Sequence, residues 1–213
     1  MKTFSVNDGA RIIDNLVVTF RDNKQYLSDM DGLIGDGDHG INMNKGFTLV
    51  REELDKNPGN LVHGLKTVSK ILMMKIGGSM GPLYGKFFGA MAASLSEKEN
   101  IGIQDILTAF QSAQGAISTI SQARPGDKTL MDTLVPATEA LMDAIAKGRS
   151  EEECLAELKR SALEGFESTK EMVARIGRAS RLAERSRGVH DPGAASCYLI
   201  IETFCDTITN LLK

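Results

Sequence analysis

Apolar residues recur at one-turn spacing along almost the whole chain, and no other feature constrains the fold as much. Ile12, Ile13, Leu16, Val17 and Phe20 predict an amphipathic helix over about residues 7–29. A second helix is expected from about Asn42 to Leu54, ending near Asn57-Pro58-Gly59-Asn60. Leu61, Val62, Leu65, Val68 and Leu72 mark a third. Pro82 suits the first turn of a fourth, over about 82–95. Ile103, Ile106, Leu107, Phe110, Ile117 and Ile120 mark a fifth, and Leu130, Leu134, Leu141 and Ile145 a sixth, in which Pro136 bends the helix or sits in its first turns. Ser150 with Glu153 forms a capping box opening a long helix that carries Leu155, Leu158, Ala162, Phe166, Met172 and Val173. Cys197, Tyr198, Ile201, Phe204, Ile208 and Leu211 belong to the last. No sustained period-two run rich in β-branched residues interrupts this pattern. The expected class is therefore all-α, an antiparallel up-and-down bundle or closed barrel of about eight helices with short links. No Pro/Ser-rich linker and no repeat divides residues 1–213, so one domain is expected.

Composition narrows the function classes. Net charge is −3, which argues against a nucleic-acid or anionic-membrane partner. No stretch approaches the length of an apolar membrane span, and Met1–Gly9 has no apolar segment of the secretory kind. Three cysteines without a CxxC spacing indicate neither a disulfide framework nor a zinc site, and a reducing cytoplasm is the expected compartment.

Four irregular stretches interrupt the helices: Asp31–Gly40, Gly77–Gly81, Arg124–Thr129 and Arg175–Gly193. In the first, Asp31, Asp36 and Asp38 fall within eight residues, with glycines that let the backbone aim several oxygens at one point. Clustered like charges call for a cation, and oxygen ligands without cysteine favour Mg²⁺, Mn²⁺ or Ca²⁺. Gly35–Gly40 matches GxGxxG formally but follows a helix, not a strand, and carries two acids that repel bare phosphate. An EF-hand read from Asp36 fails, because Gly40, Ile41 and Phe47 stand at its fifth, sixth and twelfth positions. The plain alternative is an acidic turn capping the helix that begins near Ile41. Asn42 and Asn44 are either first-turn polar residues or holders of phosphate oxygens. His39 either bonds a neighbouring carboxylate or carbonyl, or serves the site.

Gly77-Gly78-Ser79-Met80-Gly81-Pro82 is either a tight interhelical turn or an anion cradle of successive amides at a helix start. Arg175, Arg178, Arg181, Arg185 and Arg187 form either a solvated surface run or a phosphate clamp. Asp191 can cap the last helix or accept a bond from a ligand. Carboxylates, glycine turn and arginines together suggest a metal–nucleotide site, since phosphoryl transfer needs positioning and charge neutralisation more than covalent chemistry. No GxSxG, HExxH or paired Cys/His signature is present.

Five blocks carry a resemblance: Asp31–Asn44, Gly77–Leu83, Pro125–Thr129, Gly177–Ser180 and Asp191–Gly193. In this order and over nearly the whole chain, they resemble the dihydroxyacetone kinase L subunit. The resemblance implies an antiparallel eight-helix barrel with the nucleotide at one end. It implies that Asp31, Asp36 and Asp38 hold two Mg²⁺ ions against the phosphates of ADP or ATP. It further implies that His39 and Asn42 contact phosphate, that Gly78 and Ser79 form the phosphate-binding turn, and that Leu130 faces the adenine. Ser121 stands where some relatives carry glycine beside the base. Arg178 and the Asp191–Gly193 turn match a loop closing over the adenosine. The implied partners are a K subunit that carries dihydroxyacetone on a histidine and an M subunit whose phosphohistidine recharges the bound ADP; self-association is left open. The alternatives are an L subunit of an ATP-dependent ketose kinase and a non-catalytic nucleotide-binding regulatory module.

Overall fold

In the computed structural model, which describes residues 2–213, the helical segments are α1 (Ala10–Asp22), α2 (Lys24–Ile34), α3 (His39–Lys56), α4 (Leu61–Lys75), α5 (Met80–Ser94), α6 (Ile103–Ser118), α7 (Met131–Ala146), α8 (Glu151–Ser168) and α9 (Pro192–Leu211). The all-α class is as expected. Only Phe4–Ser5 and Asn100–Ile101 pair as short antiparallel strands among the described residues. No described helix is long and apolar enough to cross a membrane.

The helix expected over residues 7–29 is two helices. Asn23 departs from helical geometry (φ −98°, ψ 9°), and its side-chain amide donates at 2.9 Å to the Thr19 carbonyl, which also accepts the Asn23 backbone amide at 3.0 Å, so the side chain caps the end of α1. Helix α2 then continues to Ile34, which puts Asp31 on a helical turn rather than in a loop. Both α1 and α2 pack between α3 and α9, so together they form one bent stave and the ring keeps eight.

Consecutive helices from α3 to α9 pack side by side, and α9 returns to α1, which closes the ring. Four residues join α3 to α4, α4 to α5 and α7 to α8; links this short make neighbours antiparallel. Helix α5 lies closest to α4 because Gly81, Gly85 and Gly89 share one face of it. A Cβ at Gly85 would stand 2.2 Å from Met73 Cγ, and one at Gly81 2.2 Å from the Ile76 carbonyl oxygen. The ring is filled by aromatic residues in relay. Phe20 stacks on Phe47 with centroids 4.6 Å apart, and Phe47, Phe88, Phe87, Phe110 and Phe204 follow edge to face, linking α1, α3, α5, α6 and α9.

Helix α8 opens on the expected capping box. Ser150 Oγ accepts from Glu153 N at 3.3 Å and Glu153 Oε2 accepts from Ser150 N at 2.9 Å. It ends sooner than its apolar spacing predicts. The Ser168 and Thr169 hydroxyls donate to the Gly165 and Phe166 carbonyls at 2.7 Å each, a 3₁₀ turn follows over Thr169–Glu171, and Met172 and Val173 lie beyond the helix.

Antiparallel alternation decides where the irregular stretches go. The links α2–α3, α4–α5, α6–α7 and α8–α9 all lie at one end of the ring, and the other links lie with the chain termini at the opposite end. Four loops far apart in sequence therefore share one end. The N-termini of α3, α5, α7 and α9, each with unpaired amides and a positive dipole end, open towards it.

Candidate functional site

A cavity of about 640 Å³ opens at this end, within the range of small-molecule sites. Asp31, Asp36, Asp38, His39, Asn42, Gly78, Ser79, Leu130, Arg178, Asp191 and Gly193 all line it. Asn44 does not; two residues beyond Asn42 it lies about 200° around α3, on another face. Of the five arginines only Arg178 lines the cavity. Arg187 pairs with Glu184 at 3.1 Å, and Arg175 lies 4.0 Å from Asp127. The run as a whole is thus surface, with one exposed member, Arg178, that also lines the cavity.

Between α2 and α3 the chain reverses over four residues. Gly35 donates to the Asp31 carbonyl at 2.5 Å, and a Cβ there would lie 2.3 Å from Asp31 Oδ1, so a side chain at 35 would displace that carboxylate. Helix α3 starts at His39, two to three residues before the expected start near Ile41 or Asn42. Asp31 Oδ2 accepts the His39 amide at 3.3 Å, while Asp38, at the N-cap position, makes no capping bond and keeps its carboxylate for the cavity. Carboxylate oxygens of Asp31, Asp36 and Asp38 lie within 4.8 Å of one another.

The electrostatics follow from that crowding. Burial pushes the Asp31 carboxyl up, against the His39 amide bond that lowers it. Burial, the hydrogen bond with Asp36 and the charges of Asp36 and Asp31 push Asp38 up. At Asp36 desolvation is the largest single influence and acts upward, but the bonds from Asp38 and Arg178 and the Arg178 charge together outweigh it and hold the carboxyl below its ordinary value. Arg178 forms an ion pair with Asp36, and its Nη2 lies 3.8 Å from where a Gly78 Cβ would stand. A donor set of oxygens alone, short of positive charge, fits hard divalent cations.

Gly78 takes φ +72°, which turns the chain from α4 into α5 and leaves Ser79 exposed before Met80. Behind the acidic turn, burial lowers His39 to about 4, so the imidazole is neutral at pH 7. Its Nε2 lies 2.9 Å from Ser196 Oγ, which lies 2.6 Å from the Tyr84 hydroxyl. Both hydroxyls reach the Gly193 carbonyl at 3.1 Å, and this chain of bonds locks α3, α5 and α9 together. Asp191 caps α9 by accepting the Ala194 amide at 2.7 Å, and burial raises it to about 7.

Away from the carboxylates the wall is apolar, with Leu83, Ile117, Ile120, Leu130, Met131 and Ile176. Leu130 and Met131 are held there by the loop before α7. Buried Asp132 accepts the Gly126 amide at 2.5 Å and the Thr129 amide at 2.7 Å. The supporting residues Tyr84, Asp132 and Ser196 are not among those singled out from the sequence. Each is an ordinary helix residue by pattern, and only the assembled ring gives it a partner. Lys128 and Asp127 stood only in a motif block.

The family described as DAK2 domain matches residues 33–206. The chain is 36% identical, over 187 residues, to the PEP-dependent dihydroxyacetone kinase ADP-binding subunit DhaL of Escherichia coli, covering 86% of this chain and 88% of that one. It is 33% identical over 204 residues to a D-erythrulose kinase of Mycolicibacterium smegmatis, covering 94% of this chain but 35% of that longer one. In three dimensions it is similar to the dihydroxyacetone kinase from C. freundii in complex with AMP-PNP and Mg²⁺. The TM-score is 0.68 and the identity 22%, over 97% of this chain and 35% of that one, a likeness of fold.

Proposed function

Because the chain belongs to the DAK2 domain family, and within it to the ADP-binding L subunits of dihydroxyacetone kinase, we propose that its cavity binds ADP with two Mg²⁺ ions and passes a phosphoryl group to a small ketose. The observation that carries this reading is the continuity of one cavity from three converging carboxylates, past a glycine turn, to an apolar wall. Such a space suits a polyphosphate at one end and a base at the other.

In this reading Asp31, Asp36 and Asp38 hold the ions, which supply charge neutralisation at the phosphates. The amides of Gly78 and Ser79, the Asn42 side chain and neutral His39 orient phosphate oxygens. Leu130 and the neighbouring apolar residues take the adenine. Arg178 and the Asp191–Gly193 turn close over the adenosine and exclude water. The acceptor, dihydroxyacetone or a related ketose, arrives on a separate K subunit, and the bound ADP is recharged by the phosphohistidine of an M subunit. The near end-to-end match to a PEP-dependent subunit supports this donor. We read the chain as one domain and assign it to the cytoplasm. A second reading, an ATP-dependent kinase of another ketose, draws on the similarity to D-erythrulose kinase.

Mass spectrometry of purified, denatured protein tests the coenzyme reading: ADP released at one per chain is expected, and its absence together with no magnesium-dependent ADP binding would overturn it. Reconstitution with a K subunit then separates the donors. Turnover sustained by a phosphohistidine donor but not by free ATP supports the first reading, turnover with ATP alone the second. With neither, a non-catalytic regulatory module would remain.

A further inference from the structure

The segment that carries Arg178 leaves the ring at Met172 and returns at Val189, and its neck is narrow. Ala174 N donates to Ser186 Oγ at 2.9 Å and Gly188 N to the Lys170 carbonyl at 2.8 Å, so Ala174–Ser186 forms a loop of the Ω type with its ends together. One side chain from elsewhere in the fold enters that neck. Lys128, in the loop before α7, is 1% exposed. Its Nζ donates to the carbonyls of Met172 at 3.2 Å, Ser186 at 2.5 Å and Val189 at 2.5 Å, which lie on both sides of the neck. Three acceptors match the three N–H bonds of an ammonium, so every donor is used.

The backbone is held to make this reach. Lys128 has φ 62°, a conformation a lysine rarely adopts, and the flanking Gly126 and Thr129 amides are held by Asp132. Arg175 N donates to the carbonyl of Asp127 at 3.1 Å, which adds a second tie beside the first. Burial acts to lower the Lys128 ammonium below its ordinary value, and the nearby Asp191 carboxyl acts against that.

We propose that Lys128 is the positioning residue of the nucleotide lid: its ammonium clasps the neck of the Ala174–Ser186 loop, and this holds Arg178 and Ile176 over the cavity. The proposal rests on the nucleotide reading above for the ligand but not for the clasp. Lys128 also lines the cavity, but all three of its ammonium bonds go to backbone carbonyls at the neck of the lid. Its loss therefore acts on how long ligand stays rather than on how well the carboxylates take up metal.

The test compares full-length wild type with Lys128→Met and Lys128→Arg by two measurements. Limited trypsin digestion without nucleotide reports the lid alone, through cleavage after the exposed Arg178, Arg181 and Arg185. Stopped-flow binding of a fluorescent ADP analogue with Mg²⁺ reports association and dissociation separately. In Lys128→Met, cleavage confined to the lid and the analogue's dissociation rate are each expected to rise at least about tenfold, with the association rate changed less than about twofold. Lys128→Arg, which keeps charge and donors, is expected to recover most of both. Unchanged lid cleavage and dissociation in Lys128→Met would overturn the proposal, as would trypsin cleavage raised equally across all helices. If Lys128→Met does not fold, Lys128→Arg with wild-type values in both measurements supports the clasp, and Lys128→Arg with general rather than lid-confined cleavage overturns it. If wild type binds no analogue, the nucleotide reading fails, and the trypsin pattern alone still decides the clasp.

Discussion

At the scale of single residues, the acidic turn concentrates charge where the protein itself supplies little to offset it. Asp36→Ala leaves two carboxylates in a space shaped for three and is expected to abolish phosphoryl transfer and release nucleotide. Equilibrium dialysis with ADP and Mg²⁺ checks this, and wild-type retention in the variant would remove the metal assignment. Asp191 makes a separate prediction about stability. Its carboxyl is raised from 3.8 to about 7, with Lys128 and Asp132 the charged groups facing it. The native state thus holds a proton that the unfolded state releases near pH 4, and folding stability from this group is lost as pH rises through that window. At roughly 1.4 kcal/mol per unit the loss totals about 4 kcal/mol by pH 8. Asp191→Asn keeps a capping oxygen without the charge. Urea unfolding without nucleotide should show the variant gaining on wild type by up to about that amount between pH 4 and pH 8; a difference that stays flat with pH contradicts the assignment.

At the scale of elements, the glycine turn is placed by the packing of α5 on α4. A methyl at Gly81 would meet the backbone oxygens of Ile76 and Leu72 at 2.2 and 2.7 Å, and backbone cannot rotate away as a side chain can. Gly81→Ala is expected to cost about 1–3 kcal/mol of stability and to shift Gly78 and Ser79 from their place. Thermal unfolding and ADP affinity measured together check it: both should fall, and a loss of stability with unchanged affinity would show the turn to be independent of this contact. The element boundaries show where pattern reading runs short. Asn23 and Ser168 lie in helical sequence, yet one breaks a helix and the other helps to end one, because their side chains bond to nearby carbonyls. Ser150 with Glu153 was readable because a capping box is local to four residues.

At the scale of the whole molecule, the ring and its site are one structure. Phe47 lies in the aromatic relay between α1 and α5, on the helix that begins with His39. Phe47→Ala is expected to destabilise the fold by about 3–5 kcal/mol, as measured by chemical denaturation. Saturating ADP with Mg²⁺ should restore part of that through binding linkage. No restoration would separate the cavity from nucleotide binding.

What the sequence determined by itself was local: the helical class from one-turn spacing, the capping box, the glycine turns and the carboxylates between helices. These are set by neighbours within a few residues, where chain geometry alone fixes what can meet. Only the tertiary structure decided that four loops lie at one end, because that follows from the alternation of antiparallel staves. Only it brought Arg178 beside Asp36, joined Tyr84, Ser196 and His39 in one chain of bonds, and drove Lys128 into the neck of a loop more than forty residues away. Such partners have no sequence spacing to be read, since closure of the ring is what places them within reach.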